Sequence, residues 1–135
     1  PAMLALALAT DVDACHRSRF FGADGVCLAP SSPWSELADA AKATRMVPIA
    51  RVSSVAEAQQ AAALGARAVV LLADEPTLFA DAARVLPRNV TLVAWLAAPT
   101  AETLRVLLGV ADAAIVPAAL HRAADFADLL RELDP

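Results

Sequence analysis

The sequence has few of the residues that build phosphate-binding and nucleophile-presenting loops. Its 135 residues include only four glycines and no tyrosine, and aromatic residues make up 4% of the chain. A glycine-rich phosphate loop needs several closely spaced glycines, and no such run, P-loop or Ser-His-Asp order is present. The sequence therefore gives no sign of a nucleotide-binding loop or of a serine-hydrolase triad.

Cysteine, basic clusters and long apolar runs are equally scarce. Cys15 and Cys27 do not have the Cys-x₂-Cys spacing of a metal-binding pair, so we predict two buried thiols in a reducing compartment. The net charge is −4 with acids and bases interspersed, which argues against nucleic acid as a partner. The longest apolar run, MLALALA, is too short to span a membrane and lacks the basic segment of a signal peptide. We expect a cytoplasmic protein without a membrane partner.

What the chain does contain is apolar residues, which make up 59% of it and among which alanine is the most frequent. This composition is typical of a globular protein, and the length suits one domain over residues 1–135. Short apolar runs without alternation predict strands at 3–9, 25–29, 47–52, 68–73, 91–97 and 113–118. Amphipathic segments between and after them predict helices near 11–21, 33–44, 54–64, 76–86, 100–108 and 120–133. Asp11, Ser53, Ser54 and Thr100 occupy helix N-cap positions. The alternation predicts an α/β fold with a parallel sheet of six βα units.

A repeat of two βα units favours a partial TIM-barrel-like arrangement. The glycine-led strands GADGVCLA, GARAVVLLA and GVADAAIVPA recur, and the helices that follow carry LADAAK, FADAAR and FADLLR. In each helix an aspartate precedes a basic residue by three positions, a spacing that allows a surface ion pair on one helix face. Six units are too few for a closed eight-stranded barrel, so the sheet is either an open barrel, a barrel completed by another chain, or a flat twisted sheet. Bare edge strands seek partners, and we therefore predict a homo- or hetero-oligomer.

In the order of its features the chain resembles the citrate lyase β-subunit-like family and the related 2-keto-acid aldolases. Five stretches carry this likeness: LALATDVDACHRSRFFGADGVCL, VPIARV, AVVLLADEPT, LPRNVTLVAWLAAPTAETL and AAIVPAAL. The resemblance implies a pyruvate-binding barrel that uses Mg²⁺, with Arg51 as the arginine that binds the substrate carboxylate. Ala97 and Ala119 stand where the family places its metal-binding Glu and Asp, and APSS replaces an acidic cluster after the second strand. Because Mg²⁺ requires carboxylate oxygens, the sequence predicts no metal site and a degenerate, non-catalytic relative.

A second resemblance, to response-regulator receiver domains, covers residues 24–134. It places Pro117 at the receiver's Lys-Pro, but Val116 replaces the lysine and Asp74 is displaced from the phosphorylation register. This alternative implies a flavodoxin-like, doubly wound sheet and a degenerate signalling domain.

Few side chains are candidates for chemistry. Arg51, near the end of an apolar strand, would either bind a carboxylate or phosphate or pair with Asp74 or Glu75. Asp74 and Glu75 would bind Mg²⁺ or act as a base in a small carbon–carbon lyase, the enzyme alternative; the simpler interpretation of DEPT is a helix start.

His121 and Arg122 would bind an anion at the last helix, although a solvated helix start is the simpler interpretation. His16 would act as a base or face solvent beside Arg17 and Arg19. Trp95 is predicted to fill the barrel interior. Trp34 would either anchor a partner or pack under its helix.

Overall fold

The computed structural model describes residues 6–73, 75–96 and 101–115. Its strands are β1 Leu6–Leu8, β2 Gly25–Leu28, β3 Val47–Val52, β4 Ala68–Leu72, β5 Thr91–Trp95 and β6 Ala113–Ile115. Its helices are α1 Val12–Phe20, α2 Trp34–Ala43, α3 Val55–Ala63, α4 Pro76–Val85 and α5 Ala101–Leu108. Each lies inside a predicted segment or coincides with it. The predicted helix at 120–133 lies outside the described residues.

The six strands form one parallel sheet in sequential order, β1-β2-β3-β4-β5-β6. Cys27 of β2 pairs with Ile49 of β3, and Val70 of β4 pairs with Val93 of β5. The sheet curls into a half-barrel with alternating helices, so the predicted partial TIM-barrel-like fold is confirmed. The doubly wound, receiver-like alternative is wrong, because such a sheet places its first strand between the second and third.

The helices cover one side of the sheet and bury its apolar side chains. Val26, Leu28, Val69 and Leu71 on this side are inaccessible to solvent, and Phe79 of α4 is equally buried. Small residues such as Ala41 of α2, Ala58 and Ala61 of α3 and Ala82 of α4 lie in the same core. Alanine at these contacts lets the helix backbones approach the strands closely, which explains the composition of the chain.

The helix boundaries follow local chemistry. The Asp11 carboxylate accepts a hydrogen bond from the Ala14 N–H at 2.7 Å, and the Ser54 hydroxyl accepts from the Glu57 N–H at 3.2 Å. Asp11 and Ser54 are therefore the N-caps of α1 and α3, as predicted. The prediction of Ser53 as an N-cap is wrong, because Ser54 holds that position and the Ser53 hydroxyl bonds to the Glu57 side chain. Thr100 lies outside the described residues. After α1 and α3 the chain reverses at Gly22 and Gly65, both in the left-handed region with φ of 92° and 96°.

The helix ion pairs that this spacing allows form only in part. Arg84 of α4 pairs with Asp81, both partly exposed. Among the described residues Lys42 makes no ion pair with Asp39. The third pair, in the last helix, lies outside the described residues. Within the part of the chain that the structure describes, no helix is both long and apolar enough to cross a bilayer.

Candidate functional site

The concave side of the sheet carries a second, smaller apolar cluster. Cys27, Ile49 and Val70 are buried there, and Val93 and Trp95 pack against them half-exposed. The strand register places these side chains on the side away from the helices, because successive residues of a strand point to opposite faces. Trp95 therefore lies in the barrel interior, as predicted.

Arg51 lies on this concave side, two residues beyond Ile49 and at the carboxyl end of β3. Its side chain is exposed and lines a pocket of about 180 Å³ together with Ala29, Ser53, Glu57 and Leu72. In parallel α/β folds the carboxyl ends of the strands are where ligands bind. Arg51 is thus at the edge of the sheet where the resemblance places a carboxylate-binding arginine.

The alternative role of Arg51, an ion pair with a neighbouring acid, is not observed among the described residues. Glu75 is the N-cap residue of α4, with Pro76 in the first turn, and it makes no ion pair with Arg51. The position of Glu75 matches the predicted helix start, although its side chain forms no capping hydrogen bond. Asp74, the other predicted partner, lies outside the described residues.

The polar wall of the pocket is organised by the start of α3. The Ser53 hydroxyl donates a hydrogen bond to Glu57 Oε1 at 3.0 Å, while the neighbouring Ser54 caps the helix. This bond ties the Glu57 carboxylate to the loop after β3, on the same pocket as the Arg51 guanidinium. The pocket therefore contains one fixed acid, one exposed cation and an apolar floor.

Cys27 is the titratable group of the concave cluster. Burial raises the pKa of its thiol, and the positive charge of Arg51 partly offsets that increase. The thiol therefore remains protonated at neutral pH, which makes Cys27 a packing residue and not a nucleophile. Cys15 is free and buried as well, so both cysteines match the prediction of buried thiols.

The remaining predicted site residues do not converge on this pocket. His16, Arg17 and Arg19 are exposed on α1, so His16 faces solvent. His121 and Arg122 lie outside the described residues, as do the positions of Ala97 and Ala119. Among the described residues, no three His, Cys, Asp or Glu side chains are grouped to hold a metal ion.

One feature of the site was not predicted from sequence. Glu57 was not among the candidate residues, yet its separation from Ser53 by four residues brings the Ser53 hydroxyl within hydrogen-bond distance of the Glu57 carboxylate. Of the two roles predicted for Trp34, its exposure of 6% favours packing under its helix over an exposed anchor.

Comparison with known proteins supports the fold. No protein-family model matches the sequence, and no curated protein sequence matches it. Thiamine phosphate pyrophosphorylase from Pyrococcus furiosus is a similar solved structure, with a TM-score of 0.71, 21% identity, and coverage of 96% of this chain and 65% of that one. Orotidine 5′-phosphate decarboxylase from Pyrococcus horikoshii is also similar, with a TM-score of 0.72 and 14% identity. That match covers 98% of this chain and 75% of the decarboxylase.

A third similar structure is a cube-shaped, porous protein cage designed by fusing symmetric oligomeric domains. Its TM-score is 0.75 at 19% identity, and the match covers 98% of this chain and 53% of that one. At these identities the likeness concerns architecture alone. The chain spans 65% of the pyrophosphorylase, and it has a TIM-barrel-like α/β fold.

Proposed function

We propose that the chain is a barrel-type domain that binds a small carboxylate or phosphate through Arg51 at the carboxyl edge of the sheet. The observation that carries this proposal is the position of Arg51 on the concave side, exposed in a pocket and without an ion pair among the described residues. The resemblance to citrate-lyase-type barrels supports the same role for this arginine.

The chemistry of the pocket limits the ligand. A guanidinium presents two parallel N–H donors that match the two oxygens of a carboxylate or phosphate. The pocket volume of about 180 Å³ suits a small molecule, and the Glu57 carboxylate on the same pocket disfavours ligands that carry more than one negative charge. A monoanion with a short apolar part, such as a 2-keto acid, fits these limits best.

We propose a non-catalytic role for this domain, in a homo- or hetero-oligomer. Open edges support association, because edge strands leave backbone donors and acceptors unpaired. At the β1 edge Leu8 is exposed, and Phe20 and Phe21 at the end of α1 stack edge to face with more than 80% of each exposed. Exposed aromatic pairs of this kind are enriched in interfaces.

The enzyme alternative is a small carbon–carbon lyase in which Asp74 and Glu75 bind Mg²⁺ or act as a base. The Glu75 carboxylate, which forms no capping hydrogen bond at the start of α4, is the observation that favours it. Mg²⁺ would polarise a keto-acid carbonyl, and Arg51 would hold the carboxylate of the same substrate.

Binding of pyruvate and of inorganic phosphate tests the Arg51 proposal. We expect Arg51→Gln to weaken pyruvate or phosphate binding about tenfold, measured by calorimetry, since a charge-assisted bond contributes about 1.5 kcal/mol. Arg51→Lys keeps the charge without the paired donors and should lose less. Arg88→Gln, which removes an exposed charge elsewhere, is the control. Equal binding by Arg51→Gln and the native protein would contradict the proposal.

An assay of oxaloacetate turnover separates the non-catalytic and enzymatic roles. Oxaloacetate turnover that requires Mg²⁺ and disappears in Glu75→Gln would establish the lyase. Absence of turnover together with pyruvate binding would support the non-catalytic role.

The oligomeric state is tested by mass determination in solution. The double variant Phe20→Ser/Phe21→Ser should convert an oligomer to monomers. A native protein that is already monomeric would contradict the proposed oligomer.

A further inference from the structure

The outward face of α1 carries an unusual combination of charged and aromatic side chains. Cys15, which is inaccessible to solvent, marks the side of the helix that packs into the core. With about 3.6 residues per turn, the residues on the opposite side of the helix recur at spacings of three and four, and all of them are exposed. We call this surface the α1 face, and it consists of Asp13, His16, Arg17, Phe20 and the C-cap residue Phe21.

The aromatic end of the α1 face is almost fully open to solvent. Phe20 and Phe21 are 85% and 82% exposed, and their rings meet edge to face with centroids 5.4 Å apart. Each of these side chains removes about 150 Å² or more from water when it is covered, so the pair favours association strongly. A cavity of about 450 Å³ beside α1, lined in part by Leu8, Ala14 and Phe21, continues this apolar surface toward the β1 edge. Exposed apolar surface of this extent is typical of a contact site.

The two ends of the α1 face carry opposite charges that do not pair with each other. Asp13 lies in the first turn and Arg17 in the last turn, about 6 Å further along the helix axis. A separation of four residues allows a helical ion pair, yet neither side chain makes an ion pair among the described residues. His16 and Arg19, also exposed, add to the basic end. The α1 face is therefore negative at its start and positive at its end.

This order of charges is complementary to itself when it is inverted. Where two α1 faces meet with their helices antiparallel, Asp13 of one copy lies opposite Arg17 of the other, and the same pair recurs across the two-fold axis. Parallel helices bring like charges together instead. A uniformly acidic or basic partner matches only one of the two ends. The pattern therefore favours a second copy of this chain over a partner with charge of one sign.

We propose that the α1 face is a two-fold interface between two copies of this chain, in which antiparallel α1 helices form two Asp13–Arg17 ion pairs. The Phe20 and Phe21 rings of each copy pack against the start of the other copy's α1 and supply the apolar contact. The ion pairs fix the orientation of the helices, because exposed ion pairs add little affinity but like charges in contact are disfavoured. This inference rests on the proposed association of the chain and deepens it by naming the partner and the surface.

Charge reversal at the two positions tests the interface. Asp13→Arg gives an α1 face with two cations, and Arg17→Asp gives one with two anions, so each variant opposes like charges in its own dimer. Each should weaken the dimer about tenfold or more, measured by sedimentation equilibrium. The double variant Asp13→Arg/Arg17→Asp, which exchanges the two charges, should dimerise again. An equal mixture of the two single variants should form a heterodimer, detected by native mass spectrometry.

The double variant also separates the interface from the stability of α1. Each reversal removes a favourable charge from one end of the helix, so the double variant loses both contributions. Helix destabilisation therefore predicts the weakest dimer for the double variant, whereas the interface predicts recovery. Circular dichroism and thermal unfolding confirm that each variant is folded. Arg88→Asp, which makes the same change of charge at an exposed residue between α4 and β5, should dimerise like the native protein.

The possible results separate this inference from the proposal on which it rests. A native oligomer that persists in both single variants would overturn the α1 interface and leave the proposed association intact. Single variants that are monomeric but form no heterodimer when mixed would overturn the antiparallel two-fold arrangement. A native protein that is monomeric would contradict the association and this interface together, while pyruvate binding by Arg51 would be unaffected.

Discussion

The helix-facing side of the sheet and its concave side are covered very differently. Val26, Leu28 and Val69 on the first side lie in the core beneath the helices and have no solvent contact. On the concave side Leu8 remains 57% exposed and Trp95 is only partly covered. From β2 to β5 the helix-facing core is thus well covered, whereas the interior of a barrel is enclosed only when its ring of strands closes.

This difference indicates which parts of the chain serve stability and which serve contacts. The buried helix-facing core holds the βα units together by its apolar contact area. The partly covered concave side instead presents Arg51 and Trp95 to solvent, ligand or a partner. The candidate sites are therefore expected to be separable from folding.

The largest expected difference between the two sides concerns large apolar side chains. Phe79→Ala, in the helix-facing core, should lower the free energy of unfolding by about 3–5 kcal/mol. Leu8→Ala, on the exposed concave edge, should cost less than about 1 kcal/mol. Urea unfolding followed by circular dichroism measures both. Similar losses for the two variants would mean that the concave edge is covered in solution.

A matched pair of neighbours in β4 sharpens the comparison. Val69 faces the helices and Val70 faces the concave side, and both are fully buried. Val69→Ala and Val70→Ala should each cost about 2 kcal/mol in urea unfolding, because burial and not the side of the sheet determines the loss. A negligible loss for Val70→Ala alone would show that the concave cluster does not contribute to stability.

The helix layer offers a smaller, stabilising change. Arg45 follows α2 with φ of 61°, the conformation that Gly22 and Gly65 adopt after α1 and α3. A side chain in this region costs about 1 kcal/mol, so Arg45→Gly should raise the melting temperature by a few degrees. Gly65→Ala should lower it, even though an added Cβ at Gly65 meets no atom within 4 Å. A lower melting temperature for Arg45→Gly would contradict the strain argument.

The smallest expected effect concerns the thiol pKa values of Cys15, in the helix layer, and Cys27, on the concave side. Burial raises the pKa of both thiols; Asp11 raises that of Cys15 further, and Arg51 lowers that of Cys27. Arg51→Gln should therefore raise the Cys27 pKa, and Asp11→Asn, which preserves the N-cap, should lower the Cys15 pKa. The ¹³Cβ shifts of the cysteines in a pH titration report each change.

The same pKa shifts fix the direction of one pH effect. Because the folded thiols hold their protons to higher pH than the unfolded ones, their contribution to stability is complete below the ordinary thiol pKa of 9.0. It is lost as the pH rises above that value through the folded pKa values. Cys15→Ala/Cys27→Ala should flatten this alkaline decline in stability; an unchanged decline would assign it to other groups.

Local patterns predicted the elements but not every contact. The strand at 47–52 and the N-caps Asp11 and Ser54 follow from short-range chemistry that neighbouring residues decide. The LADAAK motif allows a pair of Asp39 with Lys42, yet Lys42 instead lines a pocket with Arg67, which is 25 positions away in sequence. Surface pairs at helical spacing are weak, so small differences in surroundings determine whether they form.

By itself the sequence determined the alternation of strands and helices, the capping residues and the burial of the cysteines, because these depend on residues close together in the chain. The tertiary structure decided the sequential strand order, the side of the sheet on which Arg51 lies, and the meeting of α2 with the turn before β4. Those features depend on how the sheet curls and how the helices pack across it, which pair residues that no local pattern relates.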